Sequence, residues 1–592
     1  MRESTMKSRT VMNIAVTIGT LLLLMYRAGA QRQMENLGRG MVAINQGNGK
    51  VYIGWRMLGT DPDDIAFNLF RSTAGGYPVK LNNKPITEST NFVDNDADLT
   101  RSNAYFVRFV LNGKEQEASG RAVLEANPPE RQYKSIRLQG SYTPDRVGIA
   151  DLNGDGIYDY VVKHPRGTID PGRRRRSPDT YKVEAYNGKT GKFMWRIDLG
   201  WNINLGIWFS PMVVYDLDGD GKAEVALKRA SYAATFEQAN ISENGFVLEG
   251  PEYCSVLDGM TGKETARVDW IPRGNISDWG DNVGNRVNRN LIGVAYLDGK
   301  RPSLLVMRGT YTIMRIDAYN YIGKQLKKVW SWNGDDENPR VRGQGFHGLH
   351  SLDIDDDGRD ELIIGAATID DKGTCLWNMG MGHPDICYVA DVDPTRPGLE
   401  IFYGFEDKQT RNGFCLAEAR TGKIIWGCDH PTRHLHDWGL IGDIDPDVPG
   451  MELYAMERDR SQCWLYSARG KLLSSQDLGG HSPRAFYWTD GPIKVYSPFS
   501  YRSSSSRIMK YKGARIAEIP GRIVAISDCV GDWREELVTI AKGEVRIYTT
   551  TIPAGTRRVC LMQDHLYRMD VAMQTMGYFY PPQLGGAWSG DR

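Results

Sequence analysis

Cysteine is scarce in this chain: eight residues in 592, none in a Cys-x-x-Cys pair. That speaks against zinc ribbons and thioredoxin-type redox sites. It leaves the thiols as small core residues or, after export, as disulfide partners that sequence cannot assign. Net charge is also missing, with 73 basic against 73 acidic residues. Nucleic-acid binders carry a net basic field, so a nucleic-acid partner is not expected; a local basic groove or bound cations still admit a polyanion. Long apolar runs are absent apart from Val11–Met25, which follows Arg2, Lys7 and Arg9 and precedes Ala28-Gly29-Ala30. This is the layout of a signal peptide over residues 1–30 with cleavage before Gln31. The run is shorter than the roughly 20 residues of a membrane span, so a secreted or periplasmic chain without stable membrane insertion is expected, an uncleaved anchor being the other reading. What remains is rich in glycine (65 residues), with 41% apolar residues. Global disorder is thereby excluded, and short strands with many turns are expected.

Residues 31–127 read as a separate unit. Val51–Trp55, Ala66–Phe70 and Tyr105–Val110 have strand character and are separated by turns such as Asn82-Asn83 and Asn112-Gly113. A small N-terminal β-sandwich, fibronectin-like, is the expectation, with Asn127-Pro128-Pro129 as linker. From 128 to 592 a weak repeat appears: a short strand, an acidic turn, an aliphatic strand. A second recurring element is the Asn187–Lys192 turn before Met194-Trp195, echoed by Asp258–Lys263 and Ala419–Trp426. Units of about four strands stacked in a ring leave no long free edge, so an all-β fold with a propeller of seven or eight blades is expected.

The acidic turns carry the clearest chemistry. Asp151, Asn153, Asp155 and Asp159 occupy positions 1, 3, 5 and 9 of a glycine-rich loop; Asp216, Asp218, Asp220 and Glu224 repeat the spacing, as do Asp353, Asp355, Asp357 and Glu361. Calcium takes six to eight oxygen ligands, and alternate acidic positions on a tight turn can converge on one ion. No EF-hand is implied, since no helix flanks the loops. Asp391, Asp393 and Glu400, and Asp443, Asp445 and Glu452, read as variants. Several calcium ions are expected, with a structural role, because binding to the folded state adds folding free energy.

A different set precedes or follows these loops: His347 in Gly343-Gln344-Gly345-Phe346-His347, His383 and Asp385 in Gly382-His383-Pro384-Asp385, and Glu406 after Phe405. Equivalent ends of neighbouring blades meet at one face, so these four side chains can converge on a metal. Imidazole suits a transition metal better than calcium. Ordinary surface histidines are the alternative.

With these strings the chain resembles the rhamnogalacturonan lyases of polysaccharide lyase family 11. The likeness covers nearly all of the mature chain. It includes Glu35–Gly40, Gly54–Pro62, Trp279–Arg286, Arg301–Leu304, Gly531–Glu536 and Arg546–Thr551. It implies an eight-bladed β-propeller with a small N-terminal β-domain, several calcium ions, and eliminative cleavage of the rhamnose–galacturonate backbone of pectin. A cleft calcium held by two His, an Asp and a Glu is implied at His347, His383, Asp385 and Glu406. The family's cleft Tyr is matched by Tyr578. Its cleft Arg aligns with Trp438, beside a short insertion carrying Arg433, His434 and His436. Its cleft Lys has no counterpart, Arg522 being the nearest basic residue. Tyr578, His436 and Arg522 are thus the candidate catalytic residues, and Arg308, Tyr311 and Trp438 the candidate substrate-binding ones. An acidic polysaccharide partner and a monomeric state are expected. The reading from another class is a non-catalytic, calcium-stabilised glycan-binding propeller; a lyase with altered uronate-polymer specificity is a third.

Overall fold

The computed structural model describes residues 34–167, 169–500 and 503–585. The signal-peptide reading of residues 1–30 lies outside the described residues. No helix among the described residues is long and apolar enough to cross a membrane.

The described residues are almost wholly β. Up to Leu124 there are two antiparallel sheets: one of Val42–Gly47, Lys50–Gly54 and Asn91–Asp94, the other built around the pair Ala66–Thr73 and Asn103–Leu111. Alternate residues of a strand share a face. Ile53 and Trp55, Phe67 and Leu69, and Tyr105 and Val107 accordingly turn into one apolar core.

Eight four-stranded antiparallel sheets follow among the described residues. Their first strands are Arg146–Ala150, Met212–Tyr215, Asn290–Ala295, Gly345–Leu352, Pro384–Ala390, Leu440–Gly442, Arg484–Phe486 and Arg522–Ser527; sheets are numbered in that order. The second strands, such as Asp159–His164 and Glu361–Gly365, are buried along all or most of their length, so their aliphatic runs are covered on both faces rather than alternating. First strands of sheets 1 to 5 pack in succession, sheet 6 packs on sheet 7, and sheet 8 packs on sheet 1. Sheet 8 takes its fourth strand from the other end of the chain: Tyr133–Arg137 pairs with Glu544–Tyr548.

The recurrent Trp has a defined job. Trp195 of sheet 1 donates its indole N–H to the Gly259 carbonyl of sheet 2 at 2.7 Å. Trp330 reaches Asp371, Trp377 reaches Ala419 and Trp426 reaches Ala468, at 2.8, 3.1 and 2.8 Å. Each outer strand is thus tied to the turn of the next sheet.

One helix, His565–Met573, sits among the first strands of sheets 1, 2, 3, 4 and 8. Asp564 caps it by accepting the Tyr567 N–H. Its polar residues find distant partners: Asp570 meets His350 at 2.7 Å, and Arg568 meets Glu35 at 2.6 Å.

The N-terminal sheets dock on sheet 8 through the Gly531–Glu536 string. Tyr52 donates to Asp532 at 2.7 Å, and Arg534 bridges Asp532 and Tyr52 at 2.7 and 2.8 Å. All eight cysteines are free thiols, seven buried and Cys375 half-buried.

Candidate active site and acidic loops

Two irregularities in strand pairing present the His/Asp set. In sheet 4 the register breaks between Gly345 and His350, and His347 lies in that interval. In sheet 5 Pro384 pairs with Phe405 and Ile386 with Gly404, leaving Asp385 as the extra residue. Such bulges re-aim a side chain. Glu406 follows the end of the strand Glu400–Phe405.

The four expected side chains come together. His383 Nε2 lies 3.3 Å from Asp385 Oδ1 and 3.3 Å from Glu406 Oε2. His347 Nε2 lies 3.6 Å from Asp385 Oδ1. His383 Nδ1 faces the Gly345 carbonyl, a backbone contact of the kind that orients a ligating imidazole. Ligand atoms of His347, His383 and Asp385 all lie within 4.8 Å of one another. Burial alone would raise Asp385, but hydrogen bonds from His383 and His436 carry it well below the usual carboxylate range. Burial and the neighbouring His383 push His347 well below 6.5, so its ring stays neutral.

His434 and His436 stand on the other side of the same carboxylates. His436 Nδ1 is 3.2 Å from Asp385 Oδ2, and His434 Nε2 is 3.5 Å from Glu406 Oε1. Their segment is pinned, not a loose surface loop. Buried Glu457 accepts the backbone N–H of Arg433 and His434 at 2.8 and 2.9 Å. Burial lowers His436, but its hydrogen bond to Asp385 leaves it raised above 6.5.

Two tyrosines wall the cluster. Tyr311 Oη is 2.8 Å from His347 Nε2, and its ring centroid is 4.4 Å from that of His383. Tyr578 stacks edgewise on His347 at 4.6 Å and donates its backbone N–H to the His347 carbonyl at 2.8 Å. That approach requires glycine at 577, whose φ is +57° and where a Cβ would lie 1.9 Å from the His347 carbonyl oxygen. Burial and then Asp385 raise the Tyr578 phenol well above 10.

Two of the expected substrate-binding residues, Arg308 and Trp438, are buried supports in this structure. Arg308 is fully buried: it pairs with Glu252 and donates to the carbonyls of Ile271 and Val287 at 2.9 and 2.6 Å. It ties sheets 2 and 3 together and presents no donor to a substrate. Trp438 is 4% exposed and lies beneath Tyr578, ring centroids 5.4 Å apart. It supports that wall rather than forming it. Arg522 opens the first strand of sheet 8 and pairs with Ile540 across that sheet.

The acidic loops differ among themselves. Asp216, Asp218 and Glu224 bring three carboxylate oxygens within 4.8 Å, as do Asp353, Asp355 and Asp357; Asp220 turns an oxygen to the Lys222 N–H at 2.8 Å. Glu361 gives one oxygen to the Ile354 N–H at 2.9 Å, leaves the other buried without a partner, and groups instead with Asp370 and Asp371. In the first loop Asp151 accepts the N–H groups of Gly154 and Gly156 at 2.8 and 2.7 Å. Asn153 accepts that of Asp155 at 2.9 Å and Asp155 that of Ile157 at 3.1 Å, while Asp159 is drawn to Gly188 at 2.6 Å. In the variant loops a basic side chain competes: Arg469 meets Asp393 at 3.3 Å and Lys512 meets Asp445 at 2.7 Å. Even so, Asp391 and Glu452 each keep one buried oxygen without a partner, and burial pushes Asp443 up to about 6 and Glu452 up to about 8.

Residues 124–588 match the family described as rhamnogalacturonan lyase family 11, C-terminal domain, and residues 32–124 match the rhamnogalacturonan I lyases β-sheet domain. The chain belongs to rhamnogalacturonan lyase family 11. Among curated relatives it is 37% identical to the rhamnogalacturonan endolyase YesW of Bacillus subtilis, covering 98% of this chain and 95% of that one. It is 35% identical to the exolyase YesX of the same organism, covering 93% and 95%. The crystal structures of YesX and YesW superpose with TM-scores of 0.86 and 0.84, at 32% and 36% identity, each over 95% of this chain and 98% of the other.

This family 11 chain also uses residues that sequence reading passed over. Arg286 lies over the Tyr311 ring at 3.7 Å, and Arg289 over the Trp208 ring at 5.0 Å and the Tyr311 ring at 5.4 Å. Arg289 is oriented by Asp170 at 3.1 Å and by Asn285 at 2.9 Å. Trp208 packs on His347 at 4.7 Å. The Trp279–Arg286 string pointed to this corner, since it ends three residues before Arg289.

Proposed function

We propose that the chain is an exported, calcium-dependent lyase that cleaves the rhamnose–galacturonate backbone of rhamnogalacturonan I by β-elimination. We take its eight sheets as the blades of one propeller, with residues 31–127 as a small β-sandwich beside it. The observation that carries the activity is the convergence of His347, His383, Asp385 and Glu406 beneath Tyr311 and Tyr578, in a chain that is family 11 over nearly its whole length.

Elimination removes the proton at C5 of a galacturonate and expels the sugar linked at O4. Negative charge gathers on the adjoining carboxylate, and fixed positive charge there lowers the barrier. His347, His383, Asp385 and Glu406 offer two imidazole nitrogens and two carboxylates, a donor set that fits a divalent cation. When bound, the cation supplies charge against the uronate carboxylate. Arg286 and Arg289 supply further positive charge beside the same corner. Tyr578 is kept protonated, so its hydroxyl is fit to hydrogen-bond the leaving oxygen, which takes up the proton that a base removes from C5. Orphaned buried oxygens on Glu361, Asp391 and Glu452 fit calcium as a structural ion in the acidic loops. Arg308 takes no part in this reading.

The test is turnover of purified rhamnogalacturonan with calcium and with chelator. The expected result is new ultraviolet absorbance from 4,5-unsaturated galacturonate ends, lost on chelation. Sugar release without that absorbance overturns the lyase reading.

A further inference from the structure

The carboxylates at the candidate site are each shared between two pairs of histidines. Asp385 turns Oδ1 to His347 and His383, at 3.6 and 3.3 Å, and Oδ2 to His436 at 3.2 Å. Glu406 turns Oε2 to His383 at 3.3 Å and Oε1 to His434 at 3.5 Å. The result is two adjacent donor groups, each of two imidazole nitrogens and one Asp385 oxygen within 4.8 Å of one another, with a Glu406 oxygen beside one imidazole of each. His434 Nε2 and His436 Nδ1 are 3.4 Å apart. Ligand atoms of Asp385, His434 and His436 all lie within 4.8 Å of one another.

We propose that the chain holds a second divalent-metal position, built by His434 and His436 and sharing Asp385 and Glu406 as bridging carboxylates with the first. The proposal rests on the reading that His347, His383, Asp385 and Glu406 hold a cation. Three features of the segment support it. The backbone is fixed before any ion arrives: Glu457 holds the N–H groups of Arg433 and His434, and Arg458 donates its N–H to the His434 carbonyl at 2.8 Å. The remaining nitrogen of His436 lies 3.5 Å from buried Asp437, the carboxylate-behind-imidazole arrangement that orients metal ligands. Asp385 Oδ2 also accepts the Asp437 N–H at 3.2 Å, which uses one lone pair and leaves one. The inner pair is closed off and the outer pair open: side-chain exposure is 1% and 4% for His347 and His383 against 24% and 29% for His434 and His436. An ion at the outer position can therefore be reached by a ligand from solvent. Nitrogen-rich donors with bridging carboxylates favour first-row transition ions or zinc over calcium.

Cobalt(II) is the probe, titrated into the whole protein in excess calcium so that all-oxygen loops stay filled. The expected result is two tight equivalents of cobalt, with a paramagnetic resonance signal weakened by exchange coupling once both are bound. The H434A/H436A double variant, its fold checked by circular dichroism and melting, is expected to bind one equivalent with an uncoupled signal. One uncoupled equivalent that the double variant retains overturns the second position and leaves the first standing; no tight equivalent overturns the second position, while the chelator assay tests the first. Two equivalents retained by the double variant place the second ion elsewhere and overturn the assignment to these histidines.

Discussion

Trp195 meets one turn of the neighbouring sheet twice. Its N–H is bonded to the Gly259 carbonyl at 2.7 Å, and its ring lies where a Cβ on Gly262 would sit, 2.6 Å from the nearest ring atom. Gly373 under Trp330, Gly422 under Trp377 and Gly470 under Trp426 repeat the relation, all at positive φ. The Gly-turn and the Trp that recur in the sequence are therefore two halves of one contact between sheets.

G262A tests that contact. At φ +68° an alanine is strained, and its methyl overlaps the indole. Strain of this kind costs about 1–3 kcal/mol, and overpacking can add a similar amount. We expect a lower apparent melting temperature with turnover per folded molecule unchanged. A melting temperature at the parent value removes the clamp from the account of stability.

Substitution of Arg308 separates a structural from a substrate-binding role. Its guanidinium is buried against Glu252, which Lys228 and Arg273 also contact. R308A leaves Glu252 paired with Lys228 and Arg273 but orphans the buried Ile271 and Val287 carbonyls, each such loss costing about 1–3 kcal/mol, and opens a cavity where the side chain was. R308A is expected to shift the urea midpoint strongly downward, while KM of the folded fraction holds. A raised KM at unchanged stability would return Arg308 to the cleft.

The acidic loops predict a stability that depends jointly on pH and calcium. Burial pushes Glu224, Glu361 and Glu452 up to about 8 and Glu400 up to about 7. Without a cation, the folded protein keeps protons on these groups that the unfolded chain releases near pH 4.5. The folded state thus binds more protons across that window, and stability falls as pH rises from about 4.5 to about 8. Calcium replaces the protons. In chelator the melting temperature should drop between about pH 5 and pH 8, and added calcium should flatten the curve. Superimposable curves would take the cations out of the loops.

The site itself is tested by D385N and Y578F. D385N removes charge from the carboxylate shared by His383 and His436, and a loss of at least about a hundredfold in kcat/KM is expected. Y578F deletes a proton donor, a change worth about 10²–10⁴ in kcat, with KM nearly constant. Parent-like kcat in Y578F would leave Tyr578 as a wall only.

What the sequence disclosed was what lies close along the chain. The Asp216 and Asp353 loops are legible because their oxygens sit within ten residues of one another. The strings around His347, His383 and Glu406 are legible because strand ends of successive sheets fall on one side. What stayed hidden depends on partners far along the chain. Arg308 beside Gly309 looks the same whether its guanidinium faces solvent or Glu252, 56 residues earlier. The helix His565–Met573 has no exposed polar face to announce it, because it is buried from Leu566 to Met573 with its Arg and Asp satisfied by Glu35 and His350. Trp438 could be placed on the right segment but not under Tyr578, since its depth is set by neighbours from sheets 6 and 7 and the segment after the helix.

The strand Tyr133–Arg137 has a consequence for the order in which this protein is made. It leaves the ribosome some four hundred residues ahead of Glu544–Tyr548, with which it pairs. During synthesis its hydrogen-bonding edge has no native mate, and the first strand of sheet 1 lacks its neighbour in sheet 8. Contacts of such long sequence separation form slowly, and unpaired edges invite association with other chains. The final join is therefore the step most exposed to failure, and a chain cut before Glu544 carries an open edge that nothing later can close.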